Sequence, residues 1–297
     1  MTRKILFHTH RWLGIAFAAF MVPAALTGSV LVWRTSIDQW LNPSLFTVPS
    51  SGQKLLGESD LADRLIQQAP GVRVRWIEMP EAAGRSAIAS VSRWPHAEGS
   101  ASINEVFMDP TTAAVLGIRS TINPGFNRRE LVAWIRRFHY TLMLRRTGML
   151  FMGAVALAWL LENLVGMLLT LPRPWTRLGR WGPAWRIRGS HFNFDLHRAG
   201  GLWLSPVLLV LALSSVYLNL AHEVFVPAAE WLTGLLLPKH LESRAMQAIL
   251  EWQYPAHTGE LFGLTGRIVV CIAGVSVAVL AVTGIITTSR KLLRGRA

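Results

Sequence analysis

The chain has one cysteine, Cys271, in 297 residues. A single thiol closes no intrachain disulfide and builds no cysteine-based metal site or Fe–S cluster. It also excludes the C-x-x-C-H signature, so any haem would be held without covalent bonds. Charge is scarce: 16% of residues are Asp, Glu, Lys or Arg, against about 25% in an average soluble domain. Acidic groups are the scarcer sign, 17 against 30 Lys and Arg, for a formal net charge of +13. A basic excess of that size would suit nucleic acid, but here the arginines flank apolar runs. That placement favours a membrane surface, and no nucleic-acid partner is expected. Tyrosine is rare, three residues beside thirteen Trp, and Trp prefers the membrane–water interface. G-x-G-x-x-G is absent, so a dinucleotide site of that kind is excluded and an electron donor would have to come from outside the chain.

What the chain has is long apolar runs, each near the 20 residues that cross a hydrocarbon core of about 30 Å. The first runs from Arg11 to Trp33. It is too long for the apolar core of a signal peptide, and no A-x-A-like site follows it, so it is expected as a retained span. Pro23 is expected to bend it and Gly28 to allow close packing. Residues 34–126 are polar and read as a small α+β domain. A helix is expected at 60–69 with Ser59 as cap. Strands are expected at 72–77 and 86–92, and a hairpin over 105–117 turns at Asp109-Pro110-Thr111-Thr112. Residues 127–171 hold an Arg-rich lead-in (Arg128, Arg129, Arg136, Arg137, Arg145, Arg146) and a second span from Met149, with Glu162 and Asn163 deep inside it. Such groups are costly in lipid and must face the bundle. A basic loop (172–196), a third span (197–220), a loop with Trp231 and Trp252 (221–260), and a fourth span with a basic tail (261–297) complete the chain. The fold class is therefore membrane α-helical, a four-helix bundle with a small α+β insert.

The N-terminus, the 172–198 stretch and the C-terminus carry thirteen Lys and Arg, the 221–262 stretch two. The positive-inside rule puts both termini in the cytoplasm and the insert outside. The Arg pairs at 128–146 oppose the rule; lipid headgroups or an anionic substrate could use them. With this topology His10 and His197 fall at cytoplasmic borders, His139 and His257 at outer ones. Two pairs, one per leaflet, is the arrangement that two bis-histidine b-type haems need. Arg11 and Arg198, next to two of them, suit haem propionates. Gly14, Gly200, Gly201, Gly259 and Gly263 leave room for a flat ring, and Trp12 and Trp203 are candidates to line it. Asp195 reads as the cap of the third helix, and Glu260 either orients His257 or caps the fourth helix. The bland reading, interface histidines on a membrane protein that enzymatically does nothing, stays open on the residues alone. His222 competes for either outer position. His8 points to a different helix face from His10, and His96, His191 and His240 lie in polar or loop segments.

Five stretches carry a resemblance, in order along nearly the whole chain: His10-Arg-Trp-Leu-Gly14, Asp109-Pro-Thr-Thr-Ala-Ala-Val-Leu-Gly117, Phe138-His-Tyr-Thr-Leu142, Asp195-Leu-His-Arg-Ala-Gly-Gly-Leu-Trp203 and His257-Thr-Gly-Glu260. They resemble the PepSY-associated transmembrane family of bacteria, whose members are similar to inner-membrane ferric-siderophore reductases. The resemblance implies haem b, held by the motif histidines His10, His139, His197 and His257. It implies a bacterial inner membrane, a cytoplasmic or quinol electron donor, and a periplasmic ferric siderophore as acceptor. The insert is similar to a PepSY domain, but its turn has Thr112-Ala113-Ala114 where the family usually has a glycine after Thr. The alternative is a non-enzymatic membrane protein whose PepSY-like insert binds or regulates a periplasmic partner.

Overall fold

The computed structural model describes residues 2–49, 54–92, 104–171 and 192–294. Most of the basic 172–196 loop, His96 and His191 lie outside the described residues. The chain divides into two compact units, Met1–Val32 with His139–Ala297, and Trp33–Phe138.

The first unit is a helical bundle. Its main helices are α1 (Thr2–Leu31) and, numbered in chain order, α6 (Arg145–Thr170), α7 (Phe192–Leu220) and α10 (Gly263–Arg294). Among the described residues four stretches are long and apolar enough to cross a membrane: Arg3–Leu31, Arg145–Thr170, Phe192–Leu236 and Glu260–Arg290. Each is longer than the apolar run alone suggested, because helix continues into the flanking polar residues. His10 therefore sits inside α1, two turns past its start. The third stretch continues beyond α7 through a π-helical turn, Ala221–Phe225, into α8 (Val226–Leu236). The segment expected as a loop over 221–260 is helical through most of its length, with α9 at Lys239–Thr258. Asp195 is not a cap: α7 begins at Phe192, and Asp195 lies in its first turn, where a carboxylate still favours the positive end of the helix dipole.

The bundle core is Met21, Val155, Leu208, Leu211, Ala273 and Val277. Small residues bring α1 and α10 close. Ser29 Oγ donates to the carbonyls of Ala25 (3.0 Å) and Cys271 (3.2 Å), and a Cβ on Gly274 would run into Ser29. Close backbone approach is the usual device where lipid removes the hydrophobic drive between helices. Large apolar side chains such as Leu161, Leu168, Ile272 and Val275 stay exposed, as a lipid-facing surface requires.

The second unit holds α2 (Arg34–Leu41), α3 (Pro43–Phe46), α4 (Glu58–Gln68) and a four-stranded antiparallel meander, β1 (Val74–Glu78), β2 (Ala87–Val91), β3 (Asn104–Met108) and β4 (Val115–Ser120). The expected helix, two strands and hairpin are present, the hairpin being β3 and β4. Gly57, not Ser59, stands at the N-cap of α4, and Glu58 and Asp60 occupy its first turn. Alternation in the strands sorts two cores. Leu61 and Leu65 of α4 pack on Ala87, Ala89, Val91, Val106 and Met108. Phe107, pointing the other way, packs on Leu45 and Phe46 of α3. Burying each leucine contributes about 1.5–3 kcal/mol.

At the β3–β4 turn Asp109 Oδ1 accepts from Thr111 N (2.8 Å), Thr111 Oγ1 (2.7 Å) and Thr112 N (3.3 Å). Ala113 takes a left-handed backbone, φ 64°, a conformation that favours glycine. A buried ion cluster ties α2 to the sheet: Arg119 donates through Nη1 to Asp38 and through Nε to Glu105 (2.7 Å). Burial opposes the Arg119 charge, but the two carboxylates outweigh it and raise its pKa above the usual value.

Arg128 Nε donates to Leu41 O (2.6 Å), Arg129 lies against Gly117, and Arg146 approaches Glu223 at 3.8 Å.

Candidate functional site

The first unit brings four histidines together in two pairs. The His10 and His197 rings have centroids 6.1 Å apart and planes inclined by 57°. The His139 and His257 rings are 6.4 Å apart and inclined by 55°. These are the pairs that topology sorted. His10 comes from α1 and His197 from α7. His139 comes from α5 (Leu131–Thr141) and His257 from α9, the helices just before the second and fourth spans. His222 lies exposed in the π-helical turn and joins neither pair. Along α1, His10 is eighteen residues before Gly28, which touches His139. At 1.5 Å per residue the two pairs are separated by about 27 Å of helix.

Every one of the four imidazoles has its Nδ1 engaged by another helix. His197 Nδ1 lies 2.8 Å from the Leu280 carbonyl oxygen, which can only accept. His257 Nδ1 lies 2.9 Å from Ser214 Oγ, and His139 Nδ1 3.0 Å from Thr27 Oγ1. Both hydroxyls already donate to their own helix, Ser214 to Val210 O (2.8 Å) and Thr27 to Pro23 O (2.7 Å). The imidazole must then supply the proton. His10 Nδ1 stands 2.6 Å from Glu162 Oε2, without the alignment of a hydrogen bond. In His139, His197 and His257 the proton belongs on Nδ1 and the lone pair on Nε2. His139 and His257 lie outside the four spans, and burial pushes both below the ordinary imidazole value. His257 falls to about 4, its neighbour His139 adding to the effect, so both rings are neutral.

Neutral imidazoles with Nδ1–H fixed by an acceptor are the form that binds metals through Nε2. With a metal–nitrogen bond of about 2.0 Å and roughly 1.2 Å more to the ring centre, two imidazoles opposed on one metal have centroids about 6.4 Å apart. The observed 6.1 and 6.4 Å match that spacing. Among the described residues no group of three or more His, Cys, Asp or Glu is placed to hold a metal ion. A pair of imidazoles alone leaves most positions of a bare ion unfilled. It completes a metal already held in the plane of a macrocycle.

A cavity of about 1200 Å³ adjoins the His10/His197 pair, above the roughly 300–1,000 Å³ usual for small-molecule and cofactor sites. Arg3, Lys4, His8, Arg11 and Arg198 line it together with Trp159 and Glu162. His8 thus faces the same cavity as His10, with Arg11 Nη2 3.4 Å from its Nδ1. Arg11 Nε is buried without a hydrogen-bond partner, which suits an anionic group of a ligand. Trp12 and Trp203, 53% and 64% exposed, are not part of this wall.

Most of the glycines picked out by proximity in sequence are not the ones that meet the rings. Gly14 and Gly201 do line the cavity, but Gly200 faces Leu280, and Gly259 and Gly263 serve turns at φ 78° and 57°. Three others seat the imidazoles. A Cβ on Gly166 would come within 3.3 Å of His10 Cε1, on Gly284 within 3.1 Å of His197 Cε1, and on Gly28 within 3.1 Å of His139 Cε1. Glu260 lies 3.8 Å from Arg267, and Ser214 has the role expected of it at His257.

These supports repeat along the chain. Thr27 is seventeen residues after His10, and Ser214 seventeen after His197. Glu162 is twenty-three after His139, and Leu280 twenty-three after His257. Gly166 and Gly284 are each twenty-seven after those same histidines. Turn geometry repeats too. Arg145 (φ 56°) and Gly263 (φ 57°) each stand six residues after the histidine. Gly148 and Gly266 stand nine after, packed on the carbonyls of Thr141 and Gly259. The bundle is thus two copies of one span–histidine–span unit, run in the same sense, with the second unit of the fold inserted in the first copy. Spacing between the histidines and Thr27, Ser214, Glu162, Gly166 and Gly284 is the signal that would have found them without a structure.

The model of the PepSY-associated TM region matches residues 7–241 and 235–291. No curated protein matches the chain. The chain belongs to the PepSY-associated TM family, and it is a membrane protein.

Proposed function

From this family membership, we propose that the chain carries electrons across a bacterial inner membrane through two b-type haems, from a cytoplasmic-side donor to a periplasmic ferric siderophore. The observation that supports this most is the arrangement of the four histidines: two pairs at the spacing of two imidazoles on one metal, with Nδ1 of His139, His197 and His257 taken by an acceptor and Nδ1 of His10 beside the Glu162 carboxylate. His10 and His197 would hold one haem and His139 and His257 the other, with Arg11 and Arg198 at the propionates of the first. Haem held by these histidines would supply a one-electron carrier. The chain's part is to fix the imidazoles, neutralise the propionates and keep water away. The ferric chelate is reduced at the end that holds His139 and His257. There iron(III) gains one electron, and the iron(II) formed leaves an oxygen-rich chelator more readily because of its lower charge. The donor is a quinol or a reduced soluble carrier.

Purified full-length protein tests this. Pyridine haemochrome should give two haems per chain, with a Soret band and α/β bands that sharpen on dithionite. His197→Ala and His139→Ala should each remove one haem. A colourless protein from haem-replete cells refutes the proposal and favours a partner-binding role for the insert. Proteoliposomes loaded with reductant should release chelator-trapped Fe(II) from external ferric siderophore; none from any ferric complex separates electron transfer from iron uptake.

A further inference from the structure

The two copies of the repeat differ at one support. At the position twenty-three residues after the outer histidine, the second copy has Leu280, whose backbone carbonyl serves His197 Nδ1. The first copy has Glu162, whose carboxylate serves His10. A carbonyl is thus enough to hold the imidazole in one copy, and the carboxylate is not required for seating. Glu162 is only 8% exposed and lies in a membrane-crossing helix, where a carboxylate is costly. Its Oε1 has no hydrogen-bond partner, so it is not retained as a link in a polar network. Among the described residues the Nδ1 acceptors of the outer pair are the neutral hydroxyls of Thr27 and Ser214.

Given the two-haem reading above, on which this rests, we propose that Glu162 is a positioning residue that makes the two sites unequal in potential. Acting through His10, it holds the His10/His197 site lower than the His139/His257 site. A carboxylate 2.6 Å from the imidazole nitrogen favours the more positive iron(III) state through its charge; the neutral hydroxyls at the other pair do so less. The transfer it directs moves one electron and no proton. The site beside Glu162 passes from iron(II) to iron(III) and the other from iron(III) to iron(II). A quinol or reduced flavin resupplies the first, and a ferric chelate discharges the second. The charge on one side chain therefore gives the pathway its direction, from the cavity lined by Arg3, Lys4, Arg11 and Arg198 toward the His139/His257 end.

Spectroelectrochemical titration of the purified holoprotein tests this apart from turnover. The wild type should titrate in two waves. Glu162→Gln keeps the size of the side chain and loses the charge. It should raise the lower wave only, by at least a tenfold change in the electron partition between sites, which is about 59 mV for a one-electron couple. Glu162→Asp, retaining the charge, should keep the lower wave near its wild-type position. Ser214→Ala should leave the lower wave in place. Two haems whose waves coincide in the wild type, or a lower wave unmoved in Glu162→Gln, overturn the role of Glu162 and leave the two-haem reading standing. Protein with one haem or none overturns that reading, and this inference with it.

Discussion

Three glycines hold the rings in place, and adding one methyl group to each measures how tightly. A Cβ at position 28, 166 or 284 would stand 3.1, 3.3 or 3.1 Å from a histidine Cε1, where ordinary contact begins at 3.4 Å. Each ring must then give by a few tenths of an ångström. It cannot do so freely, because its Nδ1 is tied on another side to Thr27, Glu162 or Leu280. Metal–ligand distances tolerate only about ±0.2 Å. The variant either shifts the imidazole off its metal position or pulls it from the acceptor that sets its tautomer. Loss of such an acceptor typically weakens metal affinity by about 10–100-fold. Gly28→Ala, Gly166→Ala and Gly284→Ala should each show a drop of that order when haem is titrated into haem-depleted protein and followed at the Soret band. Gly166 and Gly284 share one site, so the double variant should fall short of the sum of the two singles. Gly234→Ala, with open space around its Cβ, should bind like the wild type. Wild-type affinity in all three variants refutes the seating.

Two predictions concern the second unit, both read by hydrogen exchange on the full chain. Arg119→Met strands Asp38, 4% exposed, as a buried charge with its cation gone. The cost is about 3–5 kcal/mol, so β3 and β4 amides should exchange roughly two to three and a half orders of magnitude faster; a change under tenfold refutes the assignment. Asp109 is held below its ordinary pKa: burial, the largest single effect, raises it, and the Thr111 and Thr112 hydrogen bonds together lower it by more. A depressed folded-state pKa means its contribution is complete above the unfolded value of 3.8 and is lost as pH falls through the lower folded value. Protection of the 109–114 turn, corrected for intrinsic exchange, should therefore decline only below about pH 4. Asp109→Asn should remove that decline, and an unchanged profile in the variant counts against the turn.

Much of the site was legible because each signal was local. Apolar runs of span length marked four crossings, and alternation marked the strands. Histidines at apolar borders, sorted by Lys and Arg bias, fell into the pairs His10/His197 and His139/His257. Errors arose where local rules stop. Helix extends past the apolar run into polar residues, so His10 lies within α1 and Asp195 within α7. The 221–260 segment is broken by prolines yet helical. Glu260 was read as orienting His257 or capping the fourth helix; the hydroxyl at His257 Nδ1 is that of Ser214, forty-three positions away, and Glu260 stands 3.8 Å from Arg267.

Composition and pattern by themselves determined that this is a four-span membrane protein with an α+β insert and set His10 with His197, leaving His222 in competition for either place of the outer pair, since lipid exacts long apolar helices and punishes polar groups placed without purpose. Only the tertiary structure decided what holds each ring. Glu162 meets His10 across 152 positions, Thr27 meets His139 across 112, and Leu280 meets His197 across 83. Those contacts depend on the rotation of each helix about its axis and on how closely two backbones approach, and both are set by the packing of the whole bundle.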